Sequence, residues 1–511
     1  MSSAATENLY KLPGGIRLPG FKAQSATGEV HEVAVPAELI ISLRQHAGTA
    51  ALPRVGVGDH VFKGQVVARA DGQFSANVHA SSSGTVTAIE PRPVPGRAAD
   101  SAPCIVIATD GKDQALDTLA PITNPFAESA ESLLEAIGEA GIVGLGGAAF
   151  PTLPKMRQAI GSDIDTLILN GVECEPYISC DDALMRTAAT DILYGARIMI
   201  KALGLTQCFV GIESDKPEAW NAFVEAAQID GDDRLHPVMI PTVYPSGGED
   251  QLVYLMTGRE VPSQGFPSDR GVLVHNVGTA AAVAEFALTG MPMISRIVTV
   301  TGDGIAQPGN YRVRFGTPIS DVAGAAGGYT ERAKRLIMGG PMTGVSLTND
   351  AMPVTKACNC LLITGPAIQT SKEPERPCIR CGECARICPV RLQPQQLHRS
   401  FISDDGEQLE ALGLVDCIEC GCCDLVCPSH IPLTQSFREA KQRRRMEVYE
   451  RERAERARER FETRQQRDAD REQQSAAAIQ QIKDRANRDS IAQILARKQS
   501  SSAADDKDKD D

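Results

Sequence analysis

The chain has 511 residues, 42% of them hydrophobic, with a net charge of −13 and a pI near 5.3. That length is enough for several domains with cores of their own, and the acidic balance excludes a nucleic-acid partner because no basic excess is available to neutralise phosphates. The most continuous apolar run, Ala280 to Ile294, is broken by Glu285 and Pro292, so any membrane contact is expected to be peripheral. Most of the fifteen cysteines stand at metal-ligand spacing, and the opening MSSAATENLYKLPGG has no apolar signal core. Both features predict a cytoplasmic protein with reduced thiols.

Residues 1–35 are rich in glycine and proline and read as an extended arm. From Val55 the stretch VGVGDHVFKGQVVARADGQFSANVHASSSGTVTAIE alternates short β-prone runs with Gly-Asp, Lys-Gly and Ser-Gly turns, which predicts a small β domain over 36–110. The pattern resembles the biotinyl/lipoyl-type barrel-sandwich. That family presents a modifiable lysine at a hairpin tip, whereas the corresponding turn here, His79 to Gly84, has none, so a swinging-arm carrier is not expected. His79 is read as a hydrogen-bonding residue beside a turn.

A strand at Cys104 to Ala108 and an amphipathic helix from Ser129 to Ala140, with Leu133, Leu134 and Ile137 as its buried stripe, lead into GIVGLGGAAFPTLPKM. Glycines at 141, 144, 146 and 147 beside Lys155 can turn several backbone N–H groups towards a phosphate, since glycine tolerates the dihedrals and puts no side chain in the way. In TLILNGVECEPYISCDD a buried-strand run, Leu167 to Leu169, is followed by Asn170, Glu173 and Glu175, beyond a carboxyl end of the kind where open α/β sheets bind ligands. VYPSGGEDQLVYLMTG and GVLVHNVGTAAAVAEFAL follow.

Residues 295–366 alternate as RIVTVTG, YRVRFG, a short helix near Ile319 to Ala326 and RLIMGGPMTG, with Cys358 and Cys360 as free thiols. No titratable constellation is visible there, and the segment reads as spacer and docking surface. Then come CIRCGECARICP and CIECGCCDLVCP, each a bacterial ferredoxin ligand run in which the fourth cysteine crosses to the other cluster. One [4Fe-4S] cluster is expected on Cys378, Cys381, Cys384 and Cys427, and the second on Cys417, Cys420, Cys423 and Cys388. Cys422 is read as a non-ligand, and a pair of zinc knuckles is the alternative. After Pro432 the chain has neither glycine nor proline, and pairs such as Glu447 to Arg451 and Glu452 to Arg456 predict a solvated charged helix. Such a helix could also be an arm resting on anionic lipid or another subunit. The last stretch, SSSAADDKDKDD, is expected to be disordered.

The glycine loop, NGVECEP, YPSGGEDQL and HNVGTA together resemble the flavin domain of the 51 kDa subunit of respiratory NADH dehydrogenase. The order of parts up to about residue 435 resembles the C subunit of the Rnf (Rsx) ion-translocating electron-transport complexes. The resemblance implies an α/β multidomain fold: a barrel-sandwich domain, a Rossmann-like FMN/NADH-binding domain (125–292), a β-grasp (SLBB-like) domain (295–366), a two-cluster ferredoxin domain (370–436) and a charged helical tail (437–511).

It further implies that Gly144, Gly146, Gly147 and Lys155 face the phosphate of non-covalent FMN, and that Asn170, Glu173 and Glu175 line the flavin and nicotinamide edge. Tyr244, Gly247, Gly248 and Glu249 would form the nucleotide-side turn, and Asn276 would contact the ribityl or ring region. The chain departs from the dehydrogenase where Gly248 precedes Glu249 in place of consecutive acidic residues, and where the following loop, PSQGFP, lacks a lysine. The implied function is electron entry or exit between NADH, FMN and two clusters. The implied setting is the cytoplasmic side of the bacterial inner membrane, with the other members of the complex and a ferredoxin or ferredoxin-like subunit as partners. A soluble flavin reductase of the cobalamin-reductase kind and a non-catalytic electron-carrier scaffold are the rival readings.

Overall fold

The computed structural model describes residues 9–96, 101–366 and 373–505, with side chains to residue 499. Residues 1–437 form one compact unit and 438–511 a second. The first part carries β1 (Val30–Glu32), β2 (Glu38–Ser42), β3 (Leu52–Pro53), β4 (His60–Val61), β5 (Val66–Arg69), β6 (Val78–His79), β7 (Gly84–Pro93) and β8 (Ser101–Thr109). Strands β2-β8-β7-β4 make one sheet and β3-β5-β6 another, enclosing Leu39, Ile41, Val61, Val67, Val86 and Ile107. This is the expected barrel-sandwich.

The His79 to Gly84 turn is buried, with the Ser82 and Ser83 hydroxyls donating to Asp113 (2.8 Å) and Asp110 (2.7 Å). The Nδ1 of His79 has no hydrogen-bond partner, and burial, with Lys356 nearby, pushes its pKa down to about 3. The N-terminal arm is also firmly held. Tyr10 N–H donates to Leu255 (3.0 Å), Ile16 pairs with Tyr244, and Ser25 is fully buried with its hydroxyl 2.8 Å from that of Ser179.

The central domain runs α1 (Ala130–Glu139), α2 (Thr152–Ala159), β9 (Thr166–Gly171), α3 (Cys180–Leu203), β10 (Gln207–Glu213), α4 (Pro217–Asp230), β11 (Leu235–Ile240), α5 (Glu249–Thr257), β12 (Val272–Asn276) and α6 (Val277–Thr289). Ser129 caps α1 by accepting from Ser132 N–H, and Leu133, Leu134 and Ile137 are buried as the spacing requires. The four strands are all parallel in the order β11-β10-β9-β12. The chain leaves β9 first to one side and returns on the other, so a topological switch point opens at the carboxyl ends of β9 and β12.

Next come β13 (Ser295–Thr301), β14 (Gly309–Arg314), α7 (Ile319–Ala325), β15 (Arg335–Met338), β16 (Val345–Leu347) and β17 (Cys360–Thr364), ordered β1-β14-β13-β17-β15-β16. The arm thus lends β1 to the β-grasp sheet, parallel to β14. Cys358 and Cys360 are buried in its packing. The cysteine region contains α8 (Glu383–Ile387), α9 (Pro394–Ile402), α10 (Gly406–Ala411) and α11 (Cys422–Leu425).

A final helix, α12 (Leu433–Asp505), is exposed at every residue from 442 to 499. Arg456 pairs with Glu452 as expected, while Glu447 pairs with Arg444, three residues back. The expected disordered end begins as helix over 500–505, and 506–511 lie outside the described residues. No described helix is long and apolar enough to cross a membrane.

Candidate functional site

Asn170 and Asn276 are paired in register at the ends of β9 and β12, and they draw the switch point together. Asn276 Oδ1 accepts from Gly278 N–H (2.8 Å), capping α6, while its Nδ2 donates to Asp181 Oδ2 (2.7 Å) and the Asn170 carbonyl (3.2 Å). Asn170 Nδ2 donates to the Gly247 carbonyl (2.8 Å), and Gly247 N–H donates to Cys174 Sγ (3.3 Å). NGVECEP, YPSGGEDQL and HNVGTA therefore meet through side-chain amides.

The glycine loop lies beside them. Gly144 N–H donates to Phe150 (2.8 Å) and Leu145 N–H to Thr279 Oγ1 (3.1 Å). The next three residues, Gly146, Gly147 and Ala148, are exposed, and their N–H groups have no acceptor among the described residues. Gly147 has φ +112° with nothing within 4 Å of an added Cβ, a conformation and an opening that only glycine supplies. Consecutive unpaired amides in such a turn form an anion-binding concavity. The buried hydroxyl of Ser246 and Nε2 of His275, on the neighbouring stretches, have no partners.

The charged residues are more tightly engaged than the sequence suggests. Lys155 Nζ bonds both Glu249 and the Val274 carbonyl (2.7 Å), so these two expected ligands are paired with each other. Glu173, held at φ +49°, accepts from the N–H groups of Asp181 (2.7 Å) and Asp182 (3.3 Å) at the start of α3. Burial raises its pKa to about 7 against the opposing charge of Lys22, whose ammonium, from the arm, also bonds the Glu173 carbonyl. Glu175 accepts from Met342 N–H (2.7 Å), Thr343 N–H (2.8 Å) and Thr343 Oγ1 (2.9 Å). It therefore pins the strand end at the switch point to the β-grasp loop, and burial raises its pKa.

That contact agrees with the β-grasp region as a docking surface, while the expectation that it holds no titratable constellation is corrected by Arg296 and Lys356. Arg296, buried at the start of β13, donates to the carbonyls of Lys356 (2.6 Å), Leu145 (3.1 Å) and Ile297 (3.3 Å). Lys356, fully buried, donates to Gly141 O (2.7 Å) and Asn77 O (3.2 Å), and burial lowers its pKa to about 7. Strand alternation gives a partial signal for Arg296, since it shares a face with Val298 and Val300 and all three are buried. Lys22 and Lys356 lie in segments without periodicity, and nothing local marks them.

The cysteines fall into two small cavities. Cys378, Cys381, Cys384 and Cys427 line one, together with Gln395 and His398. Cys388, Cys417, Cys420 and Cys423 line the other, with Cys422 also on its wall. Each cavity has three cysteines from one run and the fourth from the other, the crossed pattern of two-cluster ferredoxins. The second cavity is the one next to the switch-point crevice. Tyr244, beside a cis Tyr244–Pro245 bond, donates its hydroxyl to the Cys420 carbonyl (2.8 Å). Gly15 N–H donates to Ile387 (2.9 Å), and Met342 packs on Gly421. The PSQGFP loop also reaches this side, with Ser263 Oγ donating to Asp416 (2.5 Å).

These donor sets fit the groups implied. All-thiol quartets in tight loops suit iron–sulfur cubanes, and three unpaired amides at a switch point, with an orphaned hydroxyl nearby, suit the phosphate and polar edge of a flavin mononucleotide. A parallel sheet with this crevice, joined to twin four-cysteine cavities, defines a flavin-domain iron–sulfur protein. Family models match in the same order: the RnfC barrel sandwich hybrid domain over 10–112, the Nuo51 FMN-binding domain over 137–285, the SLBB domain over 297–346 and the 4Fe-4S dicluster domain over 377–432. FMN and iron–sulfur clusters are thus the cofactors, in place of the zinc alternative.

The chain is 47% identical over 433 residues to the C subunit of the ion-translocating oxidoreductase complex of Pseudomonas aeruginosa, covering 85% of this chain and 55% of that protein. It is 43% identical to the protein of the same name from Rhodobacter capsulatus, covering 84% and 83%. The match thus spans about half of the longer relative and most of the shorter. The chain belongs to the family of ion-translocating oxidoreductase complex C subunits.

Proposed function

We propose that this chain is the NADH-facing electron-entry or exit subunit of a membrane-bound, ion-translocating NAD:ferredoxin oxidoreductase complex, peripheral on the cytoplasmic face of the inner membrane. One observation carries the reading: the switch point that bears the unpaired-amide loop is bonded to the 244–248 turn, whose Tyr244 hydroxyl in turn bonds the backbone of a four-cysteine cavity. The relatives' name supports membership of a multi-subunit complex, with the other subunits, NADH and a ferredoxin or ferredoxin-like subunit as partners.

When bound, the flavin supplies exchange between the two-electron chemistry of a nicotinamide and the one-electron chemistry of the clusters. The chain contributes binding, orientation and electrostatics. Gly144, Gly146 and Gly147 shape the phosphate seat, and Lys155, tied to Glu249, links it to the turn Tyr244, Gly247, Gly248. Asn170 and Asn276 set the polar edge beneath the ring, while Glu173 and Glu175 act through the elements they fasten, α3 and the β-grasp loop. Cys378, Cys381, Cys384 and Cys427 hold one cluster; Cys417, Cys420, Cys423 and Cys388 hold the other, on the flavin side.

The test is anaerobic. The reconstituted chain, loaded with flavin, iron and sulfide, is mixed with NADH while its absorbance is followed. Flavin bleaching and then cluster reduction is the expected result. Full loading without any response to NADH would overturn the entry-subunit reading and direct attention to Gly248 and the PSQGFP loop.

A further inference from the structure

The backbone around Leu145 is oriented from behind, by a residue of another domain. In a trans peptide the carbonyl of one residue and the N–H of the next point in opposite directions from one rigid plane. Arg296 Nη2 holds the Leu145 carbonyl inward (3.1 Å), so the N–H of Gly146 in that same plane must face out. One residue earlier Thr279 completes the arrangement, accepting from Leu145 N–H (3.1 Å) and donating to Val143 O (3.4 Å). Lys356 fixes the loop's entry at Gly141, itself at φ +64°. The guanidinium spans both, since Arg296 Nη1 holds the Lys356 carbonyl (2.6 Å).

Arg296 is also electrostatically unusual. It is 4% exposed, its hydrogen bonds all go to backbone carbonyls, and among the described residues it makes no ion pair, although its charge acts on Asp181. A permanently charged group whose partners are backbone carbonyls projects positive potential into the loop in front of it. The fully buried Lys356 amine has a donor for each of its two carbonyls whether or not it carries the extra proton.

We infer that Arg296, with Lys356 behind it, is a positioning residue for the flavin phosphate: the β-grasp domain orients the outward amide of Gly146, the first of the unpaired run, and adds a buried positive charge beneath the anion. This inference rests on the loop being the phosphate seat. It gives the β-grasp domain a part in cofactor selection, namely preference for a phosphorylated flavin over an unphosphorylated one. Arginine suits the role because its planar fork holds carbonyls in fixed directions from two separate nitrogens, whereas a lysine ammonium must reach every carbonyl from one atom.

The test compares FMN and riboflavin binding to the full chain carrying its clusters, by flavin fluorescence quenching, in wild type, Arg296→Lys and Arg296→Met. Wild type is expected to prefer FMN. Arg296→Met should weaken FMN binding about tenfold while changing riboflavin binding much less, with Arg296→Lys falling between them because it keeps charge without the fork.

A merely structural role would lower both affinities together and leave their ratio unchanged. That result, or an unchanged ratio with both affinities intact, overturns the inference while leaving the phosphate-seat reading standing. Equal binding of the two flavins by wild type overturns that reading and the inference with it. Should Arg296→Met fail to fold, the FMN-to-riboflavin ratio of Arg296→Lys decides: a reduced ratio supports the inference and an unchanged one overturns it.

Discussion

The two cysteine runs repeat one backbone. Positive φ recurs at Arg380 and Glu419 (59° and 55°), at Gly382 and Gly421 (80° and 78°), and at Arg391 and His430 (56° and 52°). Each run closes around its cavity with residues no farther away than the other run. The flavin-side crevice is built differently. Its loop is held by Thr279 from α6, Arg296 and Lys356 from the β-grasp region, and its strand ends by Lys22 from the arm and by the Met342–Thr343 amides. A repeated local motif can therefore be damaged one half at a time, whereas a crevice assembled from distant segments transmits damage from outside it.

The largest effect should come from the local module. Cys420→Ala removes one ligand of the flavin-side quartet, and iron content should fall from about eight to about four atoms per chain, measured by iron assay beside the cluster absorbance. Cys422→Ala, which leaves both quartets whole, should keep all of it. Equal loss in the two variants would break the assignment of Cys420 as a ligand and Cys422 as a bystander.

Distant support gives intermediate effects. Glu175→Ala leaves the N–H groups of Met342 and Thr343 without their acceptor, and should cost about 1–2 kcal/mol in unfolding of the first unit while sparing iron content. A chemical denaturation curve superimposable on wild type would show that this pin carries no weight.

Lys356 gives a pH signature. Its folded pKa, about 7, lies below the ordinary 10.5, so between those values the unfolded chain binds more protons than the folded one. Stability from this group must then rise with pH across that window, with the cost of burying its charge fully present below about pH 7. Lys356→Met should flatten the wild-type trend in apparent Tm between neutral and alkaline pH. The smallest change is expected of Tyr244→Phe, which loses one hydrogen bond to Cys420, about 1 kcal/mol in apparent stability, with both clusters retained.

How far the sequence could be read follows the same division. The cysteine quartets, the helix at Ser129, the buried strand at Leu167 and the barrel-sandwich were all visible, because spacing, capping and alternation are properties of neighbouring residues. Glu173 and Glu175 are expected to line the flavin and nicotinamide edge, yet Glu173 spends its oxygens on two backbone amides of its own domain and Glu175 on two amides and a hydroxyl across a domain junction. Lys155, expected at the FMN phosphate, and Glu249, expected in the nucleotide-side turn, bond each other. Such pairings depend on which distant segment arrives beside a residue, and no local pattern encodes that.

The arm makes the point most plainly. Its glycines and prolines forbid regular structure over most of its length, and the sequence alone offers nothing more, but Lys22 ends beside Glu173, Ser25 against Ser179, and Val30 to Glu32 as an edge strand. Sequence by itself determined the parts and their order, through periodicity, turn chemistry and ligand spacing. Tertiary structure alone decided which buried cation stands behind the 146–148 loop and which four-cysteine cavity lies beside the switch-point crevice. Burying a charge or an amide demands a partner, and folding brought that partner from another domain.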